Sequence, residues 1–398
     1  MIAQSTYQQL GRNLRLDAKR AVADFREALK AGTYRLDEFS LRELAEHTVD
    51  DGREWVRTMD PRYGESAYTE AAGAVSTVNF SNITGQLALS AVMQAYENDA
   101  FIFSQLVETI PTRLSGEKVP GLQRIGNAAE TVGEAEPYPL VGIGEDWIRT
   151  PTAVKRGMIV PVTKEAIFYD LTGRVLTNCA EVGEFLGVNK EIRIIDAFID
   201  ENTTAGRYNW KDTVYATYAS SGGHGVVNLK TGNGLVDWTQ IDAALLVASQ
   251  IVDPWTGLPI SAMGSDLIVA QQLVATASHI VNAVSNERAT PGFAVSANPN
   301  VAKVNGSPIL GLNGYSPPQY NIRSSKLLSS RLATKTSWFI GDLRKQIAYW
   351  EHWPITVSQA SPNSEKEFNQ DIVMQFKASE KGAAGHKDVR YLVKSTVA

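Results

Sequence analysis

The residues with the most obvious chemical potential are the carboxylates Glu130, Glu134, Glu136, Glu145 and Asp146. Paired carboxylates perform general acid–base work when an apolar pocket keeps one of them protonated. These sit in and beside AAETVGEAEPYPLVGIGE, a Gly-, Pro- and Glu-rich stretch that offers no apolar pocket. A solvated face, or a surface that salt-bridges a neighbour's basic residues, is the expectation. The five histidines (His47, His224, His279, His352, His386) are scattered, and no His-Glu-x-x-His spacing offers a metal site. Ser221-Gly-Gly-His-Gly225 lacks the Lys-Ser/Thr pair of a phosphate loop. Gly142-Ile-Gly144 runs into Glu145 and Asp146 rather than into a helix start suited to a dinucleotide. His352, in Trp350-Glu-His-Trp353, belongs to an aromatic cluster suited to an interface or a core. No catalytic residue, cofactor or metal is expected, and the chain does not read as an enzyme.

Composition sets the frame. The chain has 398 residues, 43% hydrophobic and 20% charged, enough to bury a large core without staples. The single cysteine, Cys179, excludes an intrachain disulfide and fits assembly in a reducing compartment. Cys179 also falls on an apolar helical stripe, where a buried structural role is expected. The first residues hold no apolar run suited to a signal peptide or membrane span, so the sequons at Asn82, Asn202 and Asn305 carry no weight. A formal net charge of -5 argues against a strongly basic nucleic-acid binder. It permits a mildly acidic wall around packed DNA.

The elements that must position these groups follow from periodicity. Residues 1–60 read as amphipathic helices, with Leu14, Ala18, Ala21, Phe25 and Leu29 near helical spacing and Gly32 as a stop. A second helix begins at Ser40, with Glu43 in capping-box position. Such a region is either a hairpin packed on the body or an arm that docks on a neighbouring subunit. Residues 61–84 read as an extended connector, and the next stretch as a helix ended by Pro111.

Residues 112–162 change character. TRLSGEKVPGLQRIG and EDWIRTPTAVKRGMIVPVTKE carry β-type residues on either side of the acidic tip. Pro120, Pro151 and Pro161 suit a two-stranded ribbon or an edge. With about 20 residues each way such a ribbon reaches on the order of 65 Å and needs another surface to lie on. Arg113, Lys118, Arg124, Arg149, Lys155 and Arg156 occupy its arms, and Glu134 and Glu136 its tip; these eight are the candidate subunit-interface residues.

A long helix follows, from about Leu171 to Ile199, with an apolar stripe through Val175, Cys179, Val182, Leu186, Ile192, Ile195 and Phe198. Gly183 and Gly187 inside it offer places to bend. Helices and short strands alternate over 237–345: one helix begins at Thr239 with Asp242 in capping position, and SDLIVAQQLVATASHIVNAV reads as another. The tail is β-rich, its last strand alternating Val389, Tyr391 and Val393 with Arg390, Leu392 and Lys394 as a half-buried strand does.

This order of parts resembles the Hong Kong 97-like capsid fold of tailed bacteriophages, over roughly residues 85–398. TAVKRGMIVPVTKEAIFYDLTGRVLTNCAEVGEFLGVNKEIRIIDAFIDE is similar to the family's loop-return strand and spine helix. The segment from SWFIGD to the C-terminus is similar to its closing strands. The resemblance implies an α+β protein with an N-terminal helical arm and connector (1–84), the start of a peripheral domain (85–111) and an extended β-ribbon loop (112–162). A spine helix with more of the peripheral domain (163–236), an axial domain (237–345) and returning C-terminal strands (346–398) would follow. It also implies a major head protein closing into hexamers and pentamers of an icosahedral shell around double-stranded DNA, assembled in the bacterial cytoplasm. Portal, scaffold and decoration proteins would be partners, and no membrane. A nanocompartment shell enclosing cargo enzymes shares the fold and is the alternative. Some relatives weld subunits by a lysine–asparagine isopeptide bond, for which Lys118 or Lys155 with Asn363 or Asn369 are the candidates.

Overall fold

The computed structural model describes residues 4–31, 33–34, 39–49, 51–58, 70–113, 115–120, 132, 134, 147–169, 174–204, 206–221, 225–252, 259, 264–281, 320–360 and 372–397. In chain order the elements begin with six helices, α1 (Gln4–Leu16), α2 (Ala18–Lys30), α3 (Leu41–Thr48), α4 (Gly52–Thr58), α5 (Glu70–Tyr96) and α6 (Ile102–Leu106). Strands β1 (Glu108–Pro111), β2 (Lys118–Pro120), β3 (Trp147–Arg149) and β4 (Val154–Thr163) lead to helices α7 (Lys164–Tyr169) and α8 (Arg174–Ile199). Strands β5 (Asn209–Trp210), β6 (Thr213–Val214) and β7 (Leu229–Lys230) precede α9 (Trp238–Ser249), β8 (Asp266–Val269) and α10 (Val274–Val281). The chain closes with β9 (Asn321–Arg323), α11 (Lys326–Arg331), β10 (Trp338–Gly341), α12 (Leu343–Gln346), β11 (Ile347–Gln359), β12 (Ile372–His386) and β13 (Leu392–Ser395).

The chain divides into two units. Unit one comprises residues 1–101, 153–191 and 351–382. Its core joins Tyr7, Leu14, Phe25, Leu41 and Leu44 of the N-terminal helices to Ile83, Leu87 and Val92 of α5 and to Leu176, Cys179 and Leu186 of α8. Tyr7, Phe25, Tyr34 and Phe39 form a ring cluster with centroids 5.7 to 6.0 Å apart. The Ser40 hydroxyl caps α3 by accepting from the Glu43 amide, as the spacing predicted, while the Ser40 amide donates to the Tyr7 hydroxyl. Of the two readings of the N-terminal region, these contacts support packing on the chain's own body, because its apolar stripes are already consumed there.

Three expectations are corrected or extended in unit one. Residues 70–84 are not extended connector but the first half of α5, and this helix ends at Tyr96, well before Pro111, which terminates strand β1 instead. The small-residue composition that suggested a connector is also what a helix needs to pack closely. The second is extended: Gly183 and Gly187, expected as places to bend, have a packing role. A Cβ on Gly183 would strike the Val92 carbonyl of α5, and one on Gly187 would strike the Phe101 ring, so both glycines permit close approach. The third concerns β4. Rather than forming the second arm of a free ribbon, it pairs antiparallel with β12, from Thr163 against Ile372 to Val154 against Gly382. It is the outer strand of a sheet ordered β1–β11–β12–β4, which is where Pro161 can be carried without breaking a ladder.

Unit two comprises residues 102–152, 192–350 and 383–398, organised by a sheet ordered β7–β13–β10–β8–β9. Strand periodicity sorts its side chains between two cores. Ile268, Phe339 and Leu392 face one core with Ile195 and Phe198 of α8 and Leu328 of α11. Leu267, Val269, Trp338, Ile340 and Val393 face the other, with Ile241 and Ala244 of α9. Because both faces are covered, β8 carries the unbroken apolar run Leu267-Ile268-Val269 after Asp266, and what was expected as the start of a helix is a strand. For the same reason β13 is not half-buried: all four of its residues are buried. The helix α9 starts one residue earlier, at Trp238, and is capped by Asp237 and not by a Thr239–Asp242 arrangement. The Asp237 carboxylate accepts from the Thr239 amide and hydroxyl, and the Gln240 side chain accepts from the Asp237 amide.

The C-terminal turn of α8 leaves its last carbonyls without helical partners. In unit two the last three find side chains: His386 Nε2 lies 2.9 Å from the Ala197 oxygen, the Tyr218 hydroxyl donates to Phe198 and Lys394 Nζ to Ile199. Lys394 also pairs with Glu201 at 2.7 Å. Burial first, and then the nearby Asp200 carboxylate, push the Tyr218 phenol well above its ordinary range, keeping it the neutral donor this cap requires.

Candidate interaction surface

The base of the expected ribbon is present in unit two. Strand β2 pairs antiparallel with β3, placing Lys118 opposite Arg149, and β5 and β6 extend the sheet to four strands. The Thr150 amide donates to the Glu117 carbonyl and its hydroxyl accepts from the Glu117 amide, carrying the pairing one step beyond the strands. Like charges directly opposite one another destabilise an antiparallel pair. Here the carboxylate of Asp212 resolves the conflict, lying 3.5 Å from Lys118 Nζ and 3.1 Å from Arg149 Nη1. Lys118 also sits 3.7 Å above the Trp147 ring.

Asp212 was not among the sequence candidates. It and Lys211 form a two-residue hairpin turn between β5 and β6, both with positive φ (50° and 64°). That is the backbone of a primed turn, usually met by Asn-Gly. Lys-Asp carries no such signature, so the hairpin that brings Asp212 to Lys118 and Arg149 was hidden.

The other candidates separate. Arg113 is exposed after β1, and Glu134 is exposed. Arg124 and Glu136 lie outside the described residues, as do Asn363 and Asn369 of the isopeptide pairing. Lys155 and Arg156 belong to β4 in unit one, opposite Lys381 and Glu380 of β12. The Nζ atoms of Lys155 and Lys381 lie 5.7 and 5.4 Å from the ring centroid of Trp353, which is 37% exposed. On the same face of β4 as Lys155, Ile159 is an exposed apolar residue, while the exposed Val154 and Met158 belong to the opposite face. The arrangement is a cationic and apolar surface, suited to recognising an anionic partner.

Among the described residues no group of His, Cys, Asp or Glu could hold a metal ion, and no helix is long and apolar enough to cross a membrane. Cys179 is buried, and that burial raises its thiol to about 11, which disfavours the reactive thiolate.

Residues 148–395 match a family model described as phage capsid protein. No curated protein matches the chain in sequence. Among solved structures the chain is similar to one from Mycobacterium phage Bobi, at 12% identity and a TM-score of 0.41, over 74% of this chain and 89% of that one. It is also similar to the capsid of a native GTA particle, at 10% identity and a TM-score of 0.45, over 75% and 90% of the two chains. For a virus-like particle from Pyrococcus furiosus the values are 11% and 0.40, over 77% and 97%.

Proposed function

The chain belongs to the phage capsid protein family, and from that premise we propose that it is the major capsid protein of a tailed bacteriophage. A family match across residues 148–395, well over half the chain, carries this reading. The family is one of shell proteins rather than a class of enzymes, and a capsid is assembled from many copies. In the finer reading the fold is Hong Kong 97-like. The peripheral domain begins at 85–111 and α8 is the spine helix within 163–236. Residues 112–162 are the extended loop, 237–345 the axial domain and 346–398 the closing strands. The N-terminal helices of 1–84 stiffen the body.

Mechanically the parts divide the labour. The sheet of unit two, covered on both faces, supplies a rigid wedge, and α8 supplies stiffness over about 39 Å for 26 residues at about 1.5 Å each. The loop supplies reach. Copies close into hexamers and pentamers, with charged loop residues setting register more than affinity. The shell is assembled in the host cytoplasm with portal, scaffold and decoration proteins, and encloses double-stranded DNA without reading its sequence. The mild net charge of -5 lets the wall surround DNA without gripping it.

The contents of the particle test this reading. Particles purified from the producing host, treated with nuclease and then opened, release protected double-stranded DNA if the chain is a phage capsid. Particles that release a protein cargo and no DNA assign the shell to a nanocompartment instead.

A further inference from the structure

Two cross-strand pairs in this chain place cations directly opposite one another, and they are treated differently. Lys118 opposite Arg149 is neutralised by Asp212 from the adjoining hairpin. Lys155 opposite Lys381 is not: both ammonium groups lean on Trp353, and among the described residues neither meets a carboxylate. Strand alternation puts Lys155, Gly157 and Ile159 of β4 on one face, with Lys381, Ser379 and Lys377 of β12 directly opposite them. The carboxylate of Glu380 belongs to the other face, where it accepts from the Tyr96 hydroxyl, so it does not answer these charges. The face thus carries two cationic rungs, Lys155 with Lys381 and Lys377 with Ile159, separated by the small pair Gly157 and Ser379. Like charges across an antiparallel ladder cost stability, so the face is built to meet an anion that the folded unit does not supply.

We propose that Lys155, Lys377 and Lys381 bind the phosphate backbone of the double-stranded DNA that the particle encloses, so that this face of β4 and β12 turns toward the contents. The proposal rests on the reading of the chain as a shell around DNA and adds the surface that meets it. The two rungs lie four residues apart, about 13 Å at about 3.3 Å per residue, which is close to four base-pair rises of about 3.4 Å each. Between them Gly157 carries no side chain and Ser379 is buried, leaving a low floor where a phosphate ridge can approach the strands. All three cations are lysines, point charges that hold a phosphate without the planar fork by which arginine selects geometry. Three phosphates per copy is a weak, sequence-independent hold, compatible with a chain whose net charge is -5. A protein partner fits less well, because protein interfaces are anchored by buried aromatic and aliphatic side chains. Among the described residues of β4 and β12 on this face, only Ile159 is a large exposed apolar side chain, and both lysines already crowd Trp353.

The salt dependence of duplex binding is the test. Fluorescence anisotropy of a short DNA duplex of mixed sequence, titrated with the chain between about 50 and 200 mM salt, reads both affinity and slope. Three phosphate contacts contribute about -2.7 to the slope of log affinity against log salt, which is about a 40-fold loss over that range. Lys155→Gln/Lys377→Gln/Lys381→Gln should remove that contribution and each single change about a third of it, equally for duplexes of any sequence. Lys155→Arg/Lys377→Arg/Lys381→Arg keeps the charge and should keep the slope; with circular dichroism of both variants, it separates a lost contact from a lost fold. A folded neutral variant with the wild-type slope overturns the inference. One that binds the duplex as wild type does but no longer closes into particles assigns the face to a protein neighbour and overturns it too. In particles, an amine-modifying reagent should label the three lysines several-fold more slowly when DNA is inside than after it has been released. Equal labelling in filled and emptied particles contradicts the proposal. Particles that hold protein and no DNA are instead a failure of the DNA-enclosing reading, and the duplex titration still decides the chemistry of the face.

Discussion

Lys394 is the residue on which unit two's interior electrostatics turn. It is nearly buried, yet its Nζ reaches both the Ile199 carbonyl and the Glu201 carboxylate, and it lies 5.5 and 5.6 Å from the Tyr218 and Phe339 rings. Removing one member of a buried pair strands the other, so Lys394→Met should cost about 3 kcal/mol in denaturant unfolding of the unassembled chain. Adding Glu201→Gln should cost less than the sum of the two single changes, since the stranded charge is gone. Nothing in the sequence marked this lysine, because the alternation around Val389, Tyr391 and Val393 puts it on the polar side of a half-buried strand. Only the second covered face of the sheet makes that side an interior. The same limit hid Asp212, whose role depends on a hairpin of unfavourable residues. The β-type segments around Lys118 and Arg149 were legible, but that both cations pair with a carboxylate of their own chain was not.

At the scale of elements, what the sequence showed best was what local chemistry decides. The Ser40–Glu43 spacing located α3, and the stripe through Cys179 and Leu186 located α8 to within a few residues. What it showed worst depended on a distant partner. The glycines of α8 look like weak points until Val92 of α5 and the Phe101 ring are seen against them. Gly183→Ala should therefore cost about 2–3 kcal/mol, because a backbone carbonyl must move, whereas Gly187→Ala meets only the Phe101 ring and should cost less. Thermal unfolding of the two variants gives the order; equal costs would mean the approach to Val92 is looser than described.

The cap of α9 adds a pH dependence. Hydrogen bonds from the Thr239 hydroxyl and amide hold the Asp237 carboxyl below its ordinary value of 3.8. A carboxylate depressed in the folded state stabilises it above the unfolded pKa, and that contribution fades as pH falls through the lowered value. Asp237→Ala should thus cost about 1 kcal/mol at neutral pH. The difference from wild type should shrink in acid below pH 3.8, and Asp237→Asn should keep the cap without the pH dependence.

For the whole molecule, the division of the chain into two units carries the functional argument. Each unit has its own core, and each offers a differently charged surface: a self-neutralised hairpin sheet in unit two and an unneutralised lysine pair in unit one. The order of parts along the chain was legible because each part has its own pattern. The pairing of β4 with β12 was not, because about 210 residues separate the two strands and no local pattern encodes so distant a partner.

The central claim is that many copies of this chain close into a shell. Electron microscopy of the purified protein, with sedimentation of the same sample, tests it most directly. The account predicts closed particles, with no free monomer of 43.4 kDa remaining as the main species once assembly is complete. A folded chain that stays monomeric or in small oligomers, even with its scaffold and portal proteins added, would contradict it.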